Sequence, residues 1–278
     1  MFIFPRGKPL SAEPATQSVE SGSNEQPLEQ ADGTISLRQR LRPQPETRRV
    51  ATRVVEIDPL HLESERILPP GAAGINGGPY KMLRTQVLRR LDKLAVNSVA
   101  VVGAAADTGK TLSAINLAIA IAADHERTAL LIDLDLRRPS IHRRFGIEPT
   151  VGIDDCLRES APLQEAMLRL GGYERLVILP ARERSLDSSE LLSSRHTEET
   201  IVEMRDRYPD RTLVFDLPPV LQADDALAFA RHAQAALIVV GEGRTRRDDL
   251  LRTIELLRDV PIIGTVLNGS REPADIYY

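Results

Sequence analysis

Residues 98–122 read SVAVVGAAADTGKTLSAINLAIAIA, and this stretch decides the fold. Its opening is a short, nearly continuous apolar run, as expected of a strand buried on both faces. Its end repeats apolar residues at helical spacing. Between them, Gly109, Lys110 and Thr111 run directly into the helix. This is the end of a Walker A phosphate loop. In such a loop backbone N–H groups and the helix N-terminus cradle phosphates, Lys110 reaches the β and γ oxygens, and Thr111 binds Mg²⁺. The strict pattern has a glycine five residues before Gly109; this chain has Ala104 there, with Gly103 one step earlier. Asp107, Thr108 and Leu112 complete the candidate nucleotide-binding segment.

Outward from this stretch, short apolar runs alternate with helical segments. The runs are SVAVVG, TALLID, RLVILP, TLVFD, ALIVVG and IIGTVL; the segments between them include ADDALAFARHA and RRDDLLRTIELLRD. Alternation of this kind predicts an α/β fold of the P-loop NTPase type, a mostly parallel sheet with helices on both faces. Ligands of such folds bind beyond the carboxyl ends of the strands. Ahead of the phosphate loop, PYKMLRTQVLRRL predicts a helix. Pro79 stands at its start and Met82, Leu83, Val87, Leu88 and Leu91 lie on its apolar face. Residues 53–69 predict a short extended piece and a short helix.

Two more strand ends carry carboxylates. TALLID continues into Asp133-Leu-Asp135, and alternation along an extended segment predicts that both aspartates project toward the phosphate loop. Two carboxylates there serve a divalent metal and a general base. TLVFD ends at Asp216, the Walker B arrangement, in which the carboxylate holds Mg²⁺ directly or through water. Three such sites on three strand ends of one sheet predict ATP–Mg²⁺ binding. Asp224 and Asp225 open a helix, where they suit its dipole.

Composition narrows the alternatives. Among 278 residues, 36 Lys and Arg face 40 Asp and Glu, a net charge of −4 that gives no indication of nucleic-acid binding. There is no Trp, with five Phe and five Tyr, which argues against an aromatic-lined stacking site. The single cysteine, Cys156, excludes internal disulfides, Cys-ligated zinc and iron–sulfur clusters, and reads as a small buried hydrophobe. No apolar run approaches the ~20 residues that cross a bilayer, and no signal peptide is evident, so a cytoplasmic chain is expected. Residues 1–52 read as a disordered Pro/Ser/Glu/Gln-rich tail that ends in a basic stretch with Arg38, Arg40, Arg42, Arg48 and Arg49. Residues 53–270 form the expected ATPase domain, and 271–278 a C-terminal tail that closes on Tyr277 and Tyr278.

The combination resembles the bacterial tyrosine kinases (BY-kinases), autokinases on the P-loop ATPase fold that control capsule and exopolysaccharide production. The matching elements run from about Val54 to Asn268. They include the helix around Tyr80, the motif Asp133-Leu-Asp-Leu-Arg137-Arg-Pro, the run Leu176–Pro180 with Ser189-Glu-Leu-Leu-Ser, Val214-Phe-Asp216-Leu-Pro-Pro and Gly264–Asn268. The resemblance implies that Lys110 and Thr111 hold ATP and Mg²⁺ and that Asp135 and Asp216 organise the metal. It further implies that Asp133 is the base toward a tyrosine hydroxyl and that Tyr277 and Tyr278 are the phosphoacceptors. Asn268 would sit near the adenine. The implied partner is a membrane-spanning chain-length regulator supplied as a separate chain, which would recruit the protein to the inner face of the plasma membrane. A homo-oligomer is also implied. Where the family carries Glu-x-x-Arg-x-x-Arg, linked to ring assembly, this chain has Gly78, Lys81 and Arg84. Two alternatives stand beside the kinase. One is a non-enzymatic ATP-binding switch in a polysaccharide export complex. The other is a positioning ATPase of the partition type, which is disfavoured because residues 103–108 contain no Lys.

Overall fold

The computed structural model describes residues 52–70, 77–207 and 209–270. The N-terminal tail to residue 51, Tyr208, and the 271–278 segment with Tyr277 and Tyr278 lie outside the described residues. In chain order the elements are β1 (Arg53–Val55), α1 (Pro59–Ser64), α2 (Gly77–Leu94), β2 (Ser98–Val102), α3 (Lys110–Ala122) and β3 (Thr128–Asp133). They continue with α4 (Ile141–Arg144), α5 (Ile153–Leu157), α6 (Leu163–Ala166), β4 (Leu168–Leu170), β5 (Leu176–Leu179) and α7 (Ser188–Ser193). The remainder are α8 (Arg195–Arg207), β6 (Arg211–Asp216), α9 (Asp225–Ala230), β7 (Ala236–Gly241), α10 (Arg247–Leu256) and β8 (Ile262–Asn268).

The strands form one sheet in the order β1-β4-β5-β3-β6-β2-β7-β8. All six apolar runs are strands of its parallel portion. Of the two remaining strands, β1 is the extended piece expected at the start of residues 53–69, and β4 was not legible. β4 pairs antiparallel with β5, and β1 pairs parallel with β4 at the sheet edge. Each has three residues, too few to establish a period.

Alternation along the strands divides the core between the two faces. Val99 and Val101 of β2 pack with Leu83, Val87 and Leu91 of α2 and Ile115 and Ile119 of α3. Ala100 and Val102 face the other way, into a cluster with Ile201 and Met204 of α8 and Phe229 of α9. There Phe215 and Phe229 meet edge to face, with centroids 4.9 Å apart. The predicted helix before the phosphate loop is α2, which begins at Gly77, two residues before Pro79. Met82 is a correction: it is 42% exposed, while the adjacent Leu83 takes the buried position.

The segment before α2 is fastened to the helix that follows the phosphate loop. Buried Asn116 of α3 accepts from the Leu68 amide at 2.9 Å and donates to the Arg66 carbonyl at 3.1 Å. The Tyr173 hydroxyl donates to the Leu68 carbonyl at 2.6 Å. These bonds hold Ser64, Glu65 and Arg66 at the rim of the cleft above the sheet. Among the described residues, no helix is long and apolar enough to cross a membrane.

Candidate nucleotide and phosphoryl-transfer site

The phosphate loop follows β2, where the chain turns sharply into α3. Gly103 permits this turn although it stands one residue from the strict position. A Cβ there would lie 2.9 Å from Thr108 Oγ1, 3.0 Å from Lys110 Cδ and 3.0 Å from the Val239 carbonyl. Gly109 caps α3 with φ of +87°, a left-handed conformation that favours glycine. A Cβ on Gly109 would also run into the Asn268 side-chain amide at 2.0 Å.

Asn268 occupies that space because its Nδ2 donates to the Thr108 carbonyl at 2.9 Å. From the turn after β7, Arg244 donates through a terminal guanidinium nitrogen to the Asp107 carbonyl at 2.7 Å. Asp107 has φ of +58°, and its side chain is exposed, so its charge does not sit inside the phosphate cradle. Thr108 is buried and turns its hydroxyl back to the Ala105 carbonyl. Thr111 and Leu112 line the cleft at the start of α3. Lys110 is buried, with Nζ donating to the Ala105 carbonyl at 3.3 Å. Burial lowers the Lys110 pKa, against the opposing pull of Asp216, Asp135 and Asp107.

The three carboxylates lie together at the ends of β3 and β6. Asp135 lines the cleft, and burial lifts its pKa above the ordinary carboxylate range. Asp133, like Asp216, is fully buried, and the charges of the two repel one another. β3 ends at Asp133, and its buried carboxylate gathers the loop that follows. It accepts from the amides of Ser140 at 3.0 Å and Ile141 at 2.9 Å, with a longer contact to Asp135 N at 3.3 Å.

Asp216 is fully buried, and neither of its carboxylate oxygens meets a hydrogen-bond donor. Burial pushes its pKa up to about 7, with Asp135 adding repulsion; the neighbouring Thr111 hydroxyl and Lys110 act in the opposite direction. Two buried, orphaned oxygens beside a threonine hydroxyl and a phosphate loop suit a hard divalent cation such as Mg²⁺, which takes oxygen ligands. Thr111 and Asp216 would hold it, with Asp135 close by.

Arg137, from the same motif as Asp133 and Asp135, turns away from the phosphates. Its Nε donates to both oxygens of buried Asp225 at 2.9 and 3.1 Å, and a terminal nitrogen reaches Asp224 at 2.8 Å. Asp224 also accepts from the Ser189 hydroxyl and makes no capping bond. These two aspartates are thus arginine ligands rather than helix caps. Cys156 is buried, and burial pushes its thiol up to about 12, in keeping with a filler of the core. Arg244, Asn116 and the Arg137–Asp225 pair were not visible in the sequence, because each joins positions 48 to 137 residues apart with no local pattern.

The cleft enclosed by these elements has a volume of about 1370 Å³. It lies over the carboxyl ends of β2, β3, β6, β7 and β8, where a parallel α/β sheet binds ligands.

No protein-family model matches the chain. Among curated proteins, it is 28% identical over 199 residues to the tyrosine-protein kinase YwqD of Bacillus subtilis, covering 71% of this chain and 82% of YwqD. It is 26% identical over 202 residues to the tyrosine-protein kinase etk of Escherichia coli, covering 71% of this chain and 27% of etk. It is 34% identical over 178 residues to the succinoglycan biosynthesis transport protein ExoP of Rhizobium meliloti, covering 62% of this chain and 22% of ExoP. The chain therefore spans most of YwqD but about a quarter of the two longer relatives. Among solved structures, the kinase domain of the E. coli tyrosine kinase ETK superposes with a TM-score of 0.64 at 26% identity, covering 72% of this chain and 77% of that domain. The VpsO kinase domain gives 0.61 at 29% identity, covering 68% and 92%. The septum site-determining protein MinD of Pyrococcus horikoshii, complexed with Mg-ADP, gives 0.54 at 23% identity over 63% of this chain and 72% of MinD, a likeness of fold alone. The phosphate loop, the Asp133–Arg137 motif and the kinase-domain neighbours converge: the chain is similar to the bacterial tyrosine-protein kinases and has the P-loop ATPase fold.

Proposed function

We propose that this chain transfers the γ-phosphoryl group of Mg²⁺–ATP to protein tyrosine and so regulates exopolysaccharide or capsule synthesis and export. The observation that carries the reading is Asp216, whose two buried oxygens lack donors beside Lys110 and Thr111. Phosphoryl transfer depends mainly on positioning and charge neutralisation. In this reading Lys110 neutralises the β and γ oxygens, Thr111 and Asp216 hold Mg²⁺, and Asn268 fastens the loop around the nucleotide. Asp135 lines the cleft with a raised pKa, which suits the carboxylate that receives the phenol proton. Asp133, buried beside Asp216 and Asp135 with its pKa raised by burial, is the second carboxylate proposed as base toward the phenol, and it also holds the 134–141 loop.

The acceptors in this reading are Tyr277 and Tyr278. Two of the other tyrosines are committed to packing. Tyr80 packs against the core, and the Tyr173 hydroxyl is bonded inside it. A membrane-spanning chain-length regulator, present as a separate chain, is the proposed partner, and homo-oligomers would bring one chain's tail to another's cleft. ExoP, a transport protein, supports the link to polysaccharide export.

A second reading, a nucleotide-driven switch with little phosphotransfer, is favoured by Gly78 and Lys81, which replace the carboxylate and first arginine of the ring-assembly motif. Lys110→Met tests the kinase. Purified protein with Mg²⁺–ATP should lose its anti-phosphotyrosine signal, and an unchanged signal overturns the assignment.

A further inference from the structure

The phosphate loop follows β2, and its two fasteners, Arg244 in the turn after β7 and Asn268 at the end of β8, come from one side of it. On the other side the sheet continues through β6 and β3 to β5. The chain after β3 and β5 brings Arg138, Arg143 and Arg184 to the cleft, and Arg66 joins them from beyond α1. Neighbouring strands lie ~4.8 Å apart, so β5 is roughly 14 Å from β2. These arginines therefore lie on the side of the cleft away from the loop's fasteners.

Size and charge both point to a second ligand there. The cleft, at about 1370 Å³, exceeds the roughly 300–1,000 Å³ of a small-molecule pocket. Its walls carry eight Lys and Arg against four Asp and Glu, in a chain whose net charge is −4. Some of that positive charge is consumed internally: Arg137 binds Asp225, and Arg144 binds Glu65 at 2.9 Å. Arg143 donates to the Pro139 carbonyl and Arg184 to the Arg137 carbonyl, so each is held in place by a neutral partner and keeps its charge. Arg66 and Arg138 are exposed, and among the described residues no hydrogen bond or ion pair engages their guanidinium groups.

We propose that this arginine wall selects acceptor tyrosines flanked by Asp or Glu. The inference rests on the kinase reading and names its substrate class. The phenol oxygen forms a bond to the γ-phosphorus, the bond to the β–γ bridging oxygen breaks, ADP leaves with that electron pair, and the phenol proton passes to Asp135. The wall takes no part in that exchange; it holds the peptide on either side of the tyrosine. The chain's own tail has the right chemistry, with Asp275 two residues before Tyr277.

The test uses the full chain, saturating Mg²⁺–ATP and three tyrosine peptides of equal length flanked by Glu, Gln or Lys. The expected order of kcat/KM is Glu above Gln above Lys. The Glu peptide should exceed the Lys peptide about tenfold, which three exposed ion pairs together supply. The ratio should shrink as salt is raised, since exposed charges are screened. In the double variant Arg66→Glu/Arg184→Glu the order should invert. Equal efficiencies, or a preference for Lys, overturn the wall and leave the kinase standing. No transfer to any peptide by a chain that binds Mg²⁺–ATP overturns the kinase reading and this inference with it.

Discussion

Asp133 and Asp216 stand opposite one another as register partners on β3 and β6, both wholly buried, yet they differ in their backbone partners. Asp133 accepts three backbone N–H groups from the chain that follows it. Asp216 accepts none. Asp133 shapes the loop that carries Asp135, and in the proposed function Asp216 is the carboxylate offered to a cation.

The pair makes the ligand-free protein sensitive to pH in an unusual direction. Asp216 titrates near 7 in the fold and near its ordinary value of 3.8 when unfolded, and Asp133 shifts the same way. The unfolded chain therefore binds fewer protons than the fold between those values, so stability falls as pH rises through that window. His142 and His232, whose pKa values burial lowers, pull the other way in the same window, so the signature is a difference. Between about pH 5 and pH 8 the Tm of the ligand-free wild type should fall relative to that of Asp216→Asn, and Mg²⁺–ATP should flatten the wild-type slope by stabilising ionised Asp216. Asp216→Asn should also abolish phosphotransfer. A Tm difference that stays constant over that range contradicts the assignment.

Asn268 acts through the phosphate loop. Asn268→Ala removes one hydrogen bond to the Thr108 carbonyl, worth about 1 kcal/mol, or roughly fivefold in affinity. Nucleotide titration should show that weakening with little change in Tm. An unaltered Kd would mean the loop holds its shape without Asn268.

Asn116→Ala should cost about 2–3 kcal/mol, because the Leu68 amide and the Arg66 carbonyl both lose their partner and a small void opens. Thermal melting should fall by several degrees for a domain of this size. A variant as stable as the wild type would show that the 65–70 segment is held by its apolar contacts alone.

These residues mark how far the sequence could be read. Buried parallel strands declare themselves as apolar runs, so all six main strands and the phosphate loop were legible, as was the pairing of helix and strand that separates a true loop from a chance Gly-Lys-Thr. The three-residue strand β4 carries no period, whereas β1 showed itself as the extended piece before α1. Asn116 carries no local signal; its partners lie 48 and 50 residues away and are set by tertiary folding.

Arg137 belongs to the same lesson. As part of an Arg-rich motif beside a phosphate site it invites a phosphate-binding role, yet its fork is occupied by fully buried Asp225. Arg137→Ala strands that carboxylate. Removing one partner of a buried pair costs about 3–5 kcal/mol, and the half-exposed guanidinium sets the value at about 3. Denaturant unfolding at neutral pH should show this loss, and Asp225→Asn in the same background should restore part of it. Equal stability of Arg137→Ala and wild type would contradict the pairing.

The central claim is phosphoryl transfer to tyrosine. Its most direct measurement is mass-spectrometric mapping of phosphate on the full chain after incubation with Mg²⁺–ATP, beside Lys110→Met and a Tyr277→Phe/Tyr278→Phe variant. The account predicts phosphate on Tyr277 or Tyr278 in the wild type and on neither residue in Lys110→Met. Binding or hydrolysis of ATP with no phosphotyrosine anywhere on the chain would contradict it and leave the nucleotide-driven switch.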